Sequence, residues 1–201
     1  DQLTEQHLEA LVSKDRADSE YFRLLVRDPG ALQARTLTDF DIFYKLLAES
    51  FPPSEIRSYE GQKNLLELDE YEIYVLKKDD ELLAFFAEWA NEDFRFVEHL
   101  AVNPSYRSQG LGSKTLKAYH EQDDRPVILE VETPKDEVSK KRIKFYEKNG
   151  YYLTNFQYMQ PIINKGYDTV ELVLMTYPEL LDSETLKQVK AWLDKTVYMH
   201  L

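Results

Sequence analysis

Leu100-Ala101-Val102-Asn103-Pro104-Ser105-Tyr106-Arg107-Ser108-Gln109-Gly110-Leu111-Gly112-Ser113 is the stretch on which the fold turns. An apolar strand stops at a proline, passes two spaced glycines and enters a helix. Such a turn leaves several backbone N–H groups without intrahelical partners and aims them at one spot, where an anion such as a diphosphate is stabilised. Gly110 and Gly112 put no Cβ in the way of a ligand, and the helix dipole and Arg107 add positive potential, with Ser108, Gln109, Leu111 and Ser113 completing the loop. Two commoner nucleotide motifs are excluded by spacing. A P-loop requires Gly-Lys followed directly by Ser or Thr, whereas Ser113 separates Gly112 from Lys114-Thr115; a dinucleotide fingerprint requires a third glycine where Thr115 stands. Glycines after a strand are also ordinary turn chemistry, so the loop needs support from elsewhere in the chain.

That support lies downstream. Val127-Ile128-Leu129-Glu130-Val131-Glu132 reads as a strand, and Lys144-Phe145-Tyr146-Glu147-Lys148-Asn149-Gly150-Tyr151 closes a helix at an Asn-Gly stop. The upstream loop resembles motif A of the GNAT superfamily of N-acetyltransferases, Arg/Gln-x-x-Gly-x-Gly/Ala after a strand and Pro-x-x. The second block resembles motif B of that family, with its Tyr-x-x-x-Gly-Phe/Tyr ending. The two stand in family order and at family spacing, and the resemblance extends over residues 33–176.

The resemblance implies the GNAT acyl-CoA N-acyltransferase fold: an α+β (α/β) domain with a mixed, mostly antiparallel sheet flanked by helices. In that fold the strand before motif A and the strand after its helix are parallel and splay apart to admit the pantetheine arm. It further implies acetyl-CoA as co-substrate, with no metal, held by Arg107 to Ser113 and by backbone groups of Leu100, Ala101 and Val102. Tyr146 matches the position that protonates the departing thiolate. Two positions depart from the pattern: the family's frequent Asn seven residues before that Tyr is Ser139, and its frequent small residue four before is Arg142. Both are expected on the coenzyme side of the cleft, with one contact altered. Glu130 matches a strand glutamate of the subgroup that acetylates protein N-termini. Tyr158-x-Gln160-Pro161 resembles a set of bacterial GNAT proteins of unassigned substrate.

The residues carry their own reading beside this. A phenol stays protonated at neutral pH and is a serviceable weak acid, although Tyr146 is one of 14 tyrosines and also suits packing beside Phe145. Glu98 and Glu130 each sit among apolar strand residues, where desolvation would raise a carboxyl pKa towards that of a useful base; either is also readable as a solvated or salt-bridged carboxylate. His99 is a second candidate base or a hydrogen-bonded strand histidine. The four histidines show no metal-ligand spacing. Tyr158, Gln160 and the aromatics from Tyr151 onward read either as an acceptor wall, able to hold a cation by π contact, or as strand packing.

With 201 residues the chain accommodates one well-cored domain with terminal additions. The expected division is a helical extension over 1–29, the acetyltransferase domain over 30–178 and an amphipathic helix over 179–201. The extension reads as one or two helices over 3–28, packed on the domain as a cap or serving as a partner surface. The domain runs strand 31–36, helices 39–49 and 53–67, then strands 71–77, 81–90 and 93–102 joined by turns at Asp79-Asp80 and Asn91-Glu92. Helix 111–122, strand 126–132, helix 136–148 and strands 151–158 and 168–176 follow.

Cysteine is absent, which removes disulfides, thiolate nucleophiles and Cys-ligated metals. The apolar runs are strand length, so a soluble, cytoplasmic protein is expected. A formal charge of −12, from 25 basic and 37 acidic residues, repels nucleic acid and anionic membranes and attracts cations. Two further readings stand beside an N-acetyltransferase acting on a small-molecule or peptide amine as monomer or homodimer. One is a GNAT-like acyl-CoA binding or sensing module without turnover; the other, a phosphate-ligand domain of unrelated chemistry, requires the second block to be accidental.

Overall fold

The computed structural model describes residues 39–78 and 81–200. The expected helical extension, the strand at 31–36 and the turn at Asp79-Asp80 lie outside those residues. The elements are α1 (Asp39–Ser50), α2 (Tyr59–Asn64), β1 (Tyr71–Lys78), β2 (Glu81–Ala90), β3 (Arg95–Val102), α3 (Leu111–His120), β4 (Val127–Glu132), α4 (Glu137–Lys148), β5 (Tyr152–Met159), β6 (Glu171–Tyr177) and α5 (Ser183–Thr196). The six strands form one sheet in the order β1-β2-β3-β4-β6-β5. Every neighbouring pair is antiparallel except β3 and β4.

Strand alternation distributes the core between the two faces. Phe85, Phe96, Ile128 and Leu174 join one cluster with Phe43 and Leu47 of α1 and with Leu186, Val189 and Leu193 of α5. Their sequence neighbours Phe86, Val97, Leu129 and Met175 (with Val173) join the other, under Leu116 and Tyr119 of α3 and Ile143 of α4. Strand β2, paired on both sides, is therefore buried from Leu82 to Trp89. The C-terminal helix is built into the first cluster, its stripe of Leu186, Val189 and Leu193 fully buried. Among the described residues no helix is long and apolar enough to cross a membrane.

Three local expectations need correction. The turn between β2 and β3 is wider than Asn91-Glu92: Asn91 Oδ1 accepts hydrogen bonds from the amides of Asp93 and Phe94, which delays the strand to Arg95. The segment 53–67 is not one helix. Pro53–Glu55 and Leu65–Glu67 are single 3₁₀ turns, and between them α2 starts afresh where Ser58 Oγ accepts from Gly61 N. The last strand begins at Glu171, three residues later than 168.

The parallel pair positions the site. β3 and β4 are in register only at Arg95–Val127, Phe96–Ile128 and Val97–Leu129. From Glu98 and Glu130 onward they part, while β4 keeps its antiparallel ladder with β6 through Glu132. The splay expected from the family resemblance is thus present. It leaves β3 beyond Val97 without a ladder partner on its β4 side among the described residues, so its strand edge is available to an amide-bearing ligand.

Candidate active site

The splay opens into a cavity of about 330 Å³. Glu98 to Val102 form one wall; Leu129, Glu130 and Glu132, with Arg142 and Tyr146 of α4, form the other. Phe51, Glu55, Gln160 and Ile163 close it.

Arg107 stands where the cavity meets the loop before α3, and its Nε donates to Val102 O at 3.1 Å. Asn103 shapes the entry to that loop, accepting from Ser105 N and donating to Leu82 O. Gly110 is the helix N-cap at φ +73°, a left-handed conformation that suits glycine, and no atom lies within 4 Å of the Cβ it lacks. The first i→i−4 bond of α3 runs from Lys114 N to Gly110 O, so the amides of Leu111, Gly112 and Ser113 precede the helical ladder. Arg107 to Gly110 are exposed. Gly112 has a different reason for being glycine: a Cβ there would stand 3.1 Å from the Phe145 ring, so it serves the packing of α3 on α4. The Leu111 side chain is likewise core, clustered with Leu76, Leu83 and Ala84, and only its backbone faces the loop.

Helix α4 places Tyr146 through both its ends. Asp136 and Ser139 form a capping box at the start. At the other end Tyr151 N donates to Tyr146 O and Gly150 N to Glu147 O around Gly150 at φ +88°, the pattern of a glycine-terminated helix. The Tyr146 ring packs edge-on against Phe145 and Tyr151. Its hydroxyl has no hydrogen-bond partner among the described residues, and burial pushes its pKa up to about 12, against a smaller lowering by Arg142. It is a proton donor throughout the neutral range.

The two carboxylates part company. Glu98 accepts from Arg57 Nη1 at 2.7 Å and from the Trp89 indole at 2.8 Å. Burial alone would raise its pKa, but the Arg57 guanidinium, His99 and these hydrogen bonds outweigh it and hold the carboxyl below its usual value. The expectation of a raised pKa at Glu98 is corrected: it is a charged member of a buried ion pair. Among the described residues Glu130 has no such ion pair. Burial lifts its pKa to about 7, with Glu98 adding to the rise and the hydroxyls of Tyr158 and Tyr198, then Lys190, opposing it. His99 is buried, its Nε2 is 3.0 Å from Glu55 O, and burial lowers its pKa against the opposing pull of Glu98.

Other expected positions fall as follows. Leu100, Ala101, Val102, Arg107, Arg142 and Gln160 line the cavity. Ser139 does not; its hydroxyl and amide bond to Asp136 in the capping box. Arg142 pairs with Glu132 at 3.5 Å along the wall that β4 and α4 form. Tyr158 is not among the residues that line the cavity; its hydroxyl donates to Glu130, which is. Sequence reading missed Glu55, Glu132 and Tyr198. Burial raises the Glu55 pKa to about 7, helped by Glu132 and opposed by Arg142. Glu132 was legible by alternation with Glu130 on β4, whereas no local signal marks Glu55 or Tyr198, which chain crossing brings in: Tyr198 is 68 positions from the glutamate it touches.

A mixed sheet with one parallel pair splayed over a cleft, an amide-rich turn at one end and an acid and a base candidate inside defines the GNAT-fold class. A family profile described as "Acetyltransferase (GNAT) domain" matches residues 69–153. A GNAT-family structure from Bacteroides thetaiotaomicron is 33% identical, covering 79% of this chain and 91% of that one at a TM-score of 0.74. The chain belongs to the GNAT acetyltransferase family. YjbC of Bacillus subtilis (strain 168) is 34% identical over 112 residues, 54% of this chain; the chain spans 56% of that relative's length. Arabidopsis thaliana Naa50, solved with the bisubstrate analogue CoA-Ac-MVNAL, shares the fold at 19% identity and a TM-score of 0.52, over 75% of this chain and 93% of that one.

Proposed function

We propose that this chain transfers an acetyl group from acetyl-CoA to the amine of a cationic acceptor, a small molecule or a peptide. One observation carries the reading: the opening between β3 and β4 brings a carboxyl of pKa about 7, Glu130, and a phenol of pKa about 12, Tyr146, into one cavity beside an unpaired strand edge. These are the base and the acid that amine acetylation needs.

The residues present suit the coenzyme. Amides of Leu111 to Ser113, the open space at Gly110 and exposed Arg107 fit a diphosphate, and the free edge of β3 at Leu100, Ala101 and Val102 fits the amides of a pantetheine arm. The coenzyme supplies the acetyl thioester. Glu130, ionised above its pKa, takes a proton from the acceptor ammonium and leaves a neutral nitrogen lone pair. That nitrogen forms the new C–N bond as the C–S bond breaks, Tyr146 gives its proton to the departing sulfur, and the acetylated nitrogen releases its second proton to solvent, from which the phenol is reprotonated. The net charge of −12 favours a cation over an anion as acceptor at long range.

The test is a panel of mono-, di- and polyamines, lysine-containing peptides and acidic amino acids, assayed for thiol release from acetyl-CoA. The reading predicts turnover confined to cationic amines and lost in Glu130→Gln. Tight acetyl-CoA binding with no turnover on any amine would favour a binding module instead.

A further inference from the structure

The two oxygens of Glu130 are not equivalent. Oε1 accepts from two phenols, that of Tyr158 on β5 and, at 2.6 Å, that of Tyr198 just beyond α5. Oε2 accepts no hydrogen bond among the described residues and is not one of the side-chain atoms buried without a partner, so it opens on the cavity that Glu130 lines. Tyr198 is itself held firmly. It is 8% exposed and belongs to the core cluster that contains α5. Arg57 grips the chain on either side of it, donating to Val197 O at 2.9 Å and His200 O at 2.8 Å while pairing with Glu98. Lys190 of α5 places its ammonium 4.6 Å from the Tyr158 ring centroid and 5.9 Å from that of Tyr198. A cation at a phenol ring draws electron density from it and strengthens the O–H as a donor.

We propose that Tyr198 is a positioning residue for the proton acceptor: brought in by the C-terminal helix, it holds Oε1 of Glu130 together with Tyr158 and so turns Oε2 towards the acceptor amine. The proposal rests on the assignment of Glu130 as base. Two donors on one oxygen remove the rotational freedom of the carboxyl and stabilise its ionised form. The other groups facing Glu130 are Glu98 from β3, which opposes ionisation, and Lys190 from α5, which favours it. Neither touches the hydroxyl-bound oxygen in the way the two phenols do.

Tyr198→Phe in the full chain keeps the ring and removes only the donor. The titration of the Glu130 carboxyl is followed by carbon-13 NMR on glutamate-labelled protein, with the resonance identified through Glu130→Gln. Its midpoint is expected to rise by about half a unit to one unit, the worth of one lost hydrogen bond. The acidic limb of kcat/KM on the best acceptor of the amine panel should move up with it, while KM for acetyl-CoA stays put. A difluorotyrosine at position 198, a stronger donor of the same shape, should lower the midpoint, and this second variant decides the matter if Tyr198→Phe does not fold. An unchanged midpoint overturns the proposal whatever Glu130→Gln does to turnover. A shifted midpoint alongside a fully active Glu130→Gln overturns it through the base assignment on which it rests.

Discussion

Glu98 and Glu130 begin the two diverging strand edges, and what separates their chemistry is the company each keeps. Glu98 meets a guanidinium 41 positions away in sequence and stays charged; Glu130 meets two phenols and titrates near neutrality. Strand alternation in the sequence marks both as cleft candidates, but only the chain crossing that brings Arg57 to one of them decides between them. Glu130→Gln should therefore lower kcat/KM by about 10²-fold to 10⁴-fold and abolish its rise with pH through about 7. Tyr146→Phe should reduce kcat over a similar range with acetyl-CoA affinity retained, because its proton matters only as charge develops on sulfur; steady-state kinetics and calorimetry check the two halves. Stability carries a sign as well. Glu55 and Glu130 have folded pKa values raised from 4.5 to about 7, so they bind more protons in the native chain than in the unfolded one between those values. Their contribution is fully present below 4.5 and is lost as pH rises through about 7. Thermal melts should show Glu130→Gln gaining Tm relative to the parent at about pH 8 more than at about pH 5.

Among the elements, the turn from β3 into α3 was the most legible, since a proline, two glycines and a following amphipathic helix leave little freedom for the backbone between them. The roles of its two glycines were not. Gly110 answers to a positive φ with open space beyond it, whereas Gly112 answers to the Phe145 ring of a helix whose approach no local spacing reveals. Substitutions at Gly112 would therefore mix a packing effect with any loss of coenzyme. Arg107→Glu avoids this: the side chain is exposed, and its reversal should weaken acetyl-CoA binding about tenfold or more in calorimetry with the melting temperature unchanged. Equal affinity in the two proteins would remove the loop from the diphosphate site. Helix ends were readable for a related reason. Asn149 and Gly150 act through bonds to near neighbours, and so does the Asp182 cap of α5, whereas the register shift between Leu153 and Gln157 on β5 depends on β6, which pairs from across the sheet.

At the scale of the molecule, the order of strands and helices followed from periodicity and family resemblance, and the splay of β3 from β4 from the resemblance alone. The part played by α5 needed the structure. Its apolar stripe predicts an amphipathic helix, but not that the residues after it would be clamped by Arg57 and that Tyr198 would meet Glu130. The net charge of −12 acts at long range on an incoming cation. Rising ionic strength should lower kcat/KM, more steeply for polyamines than for monoamines, because screening removes long-range attraction in proportion to charge; kinetics at two salt concentrations decide it. The most direct measurement for the account as a whole is mass spectrometry of a diamine or lysine-peptide acceptor after incubation with acetyl-CoA and either the parent protein or Glu130→Gln. The account predicts acceptor carrying one added acetyl group with the parent and little with the variant, at equal coenzyme binding. Acetylation proceeding equally with both, or in neither while coenzyme still binds, would contradict it.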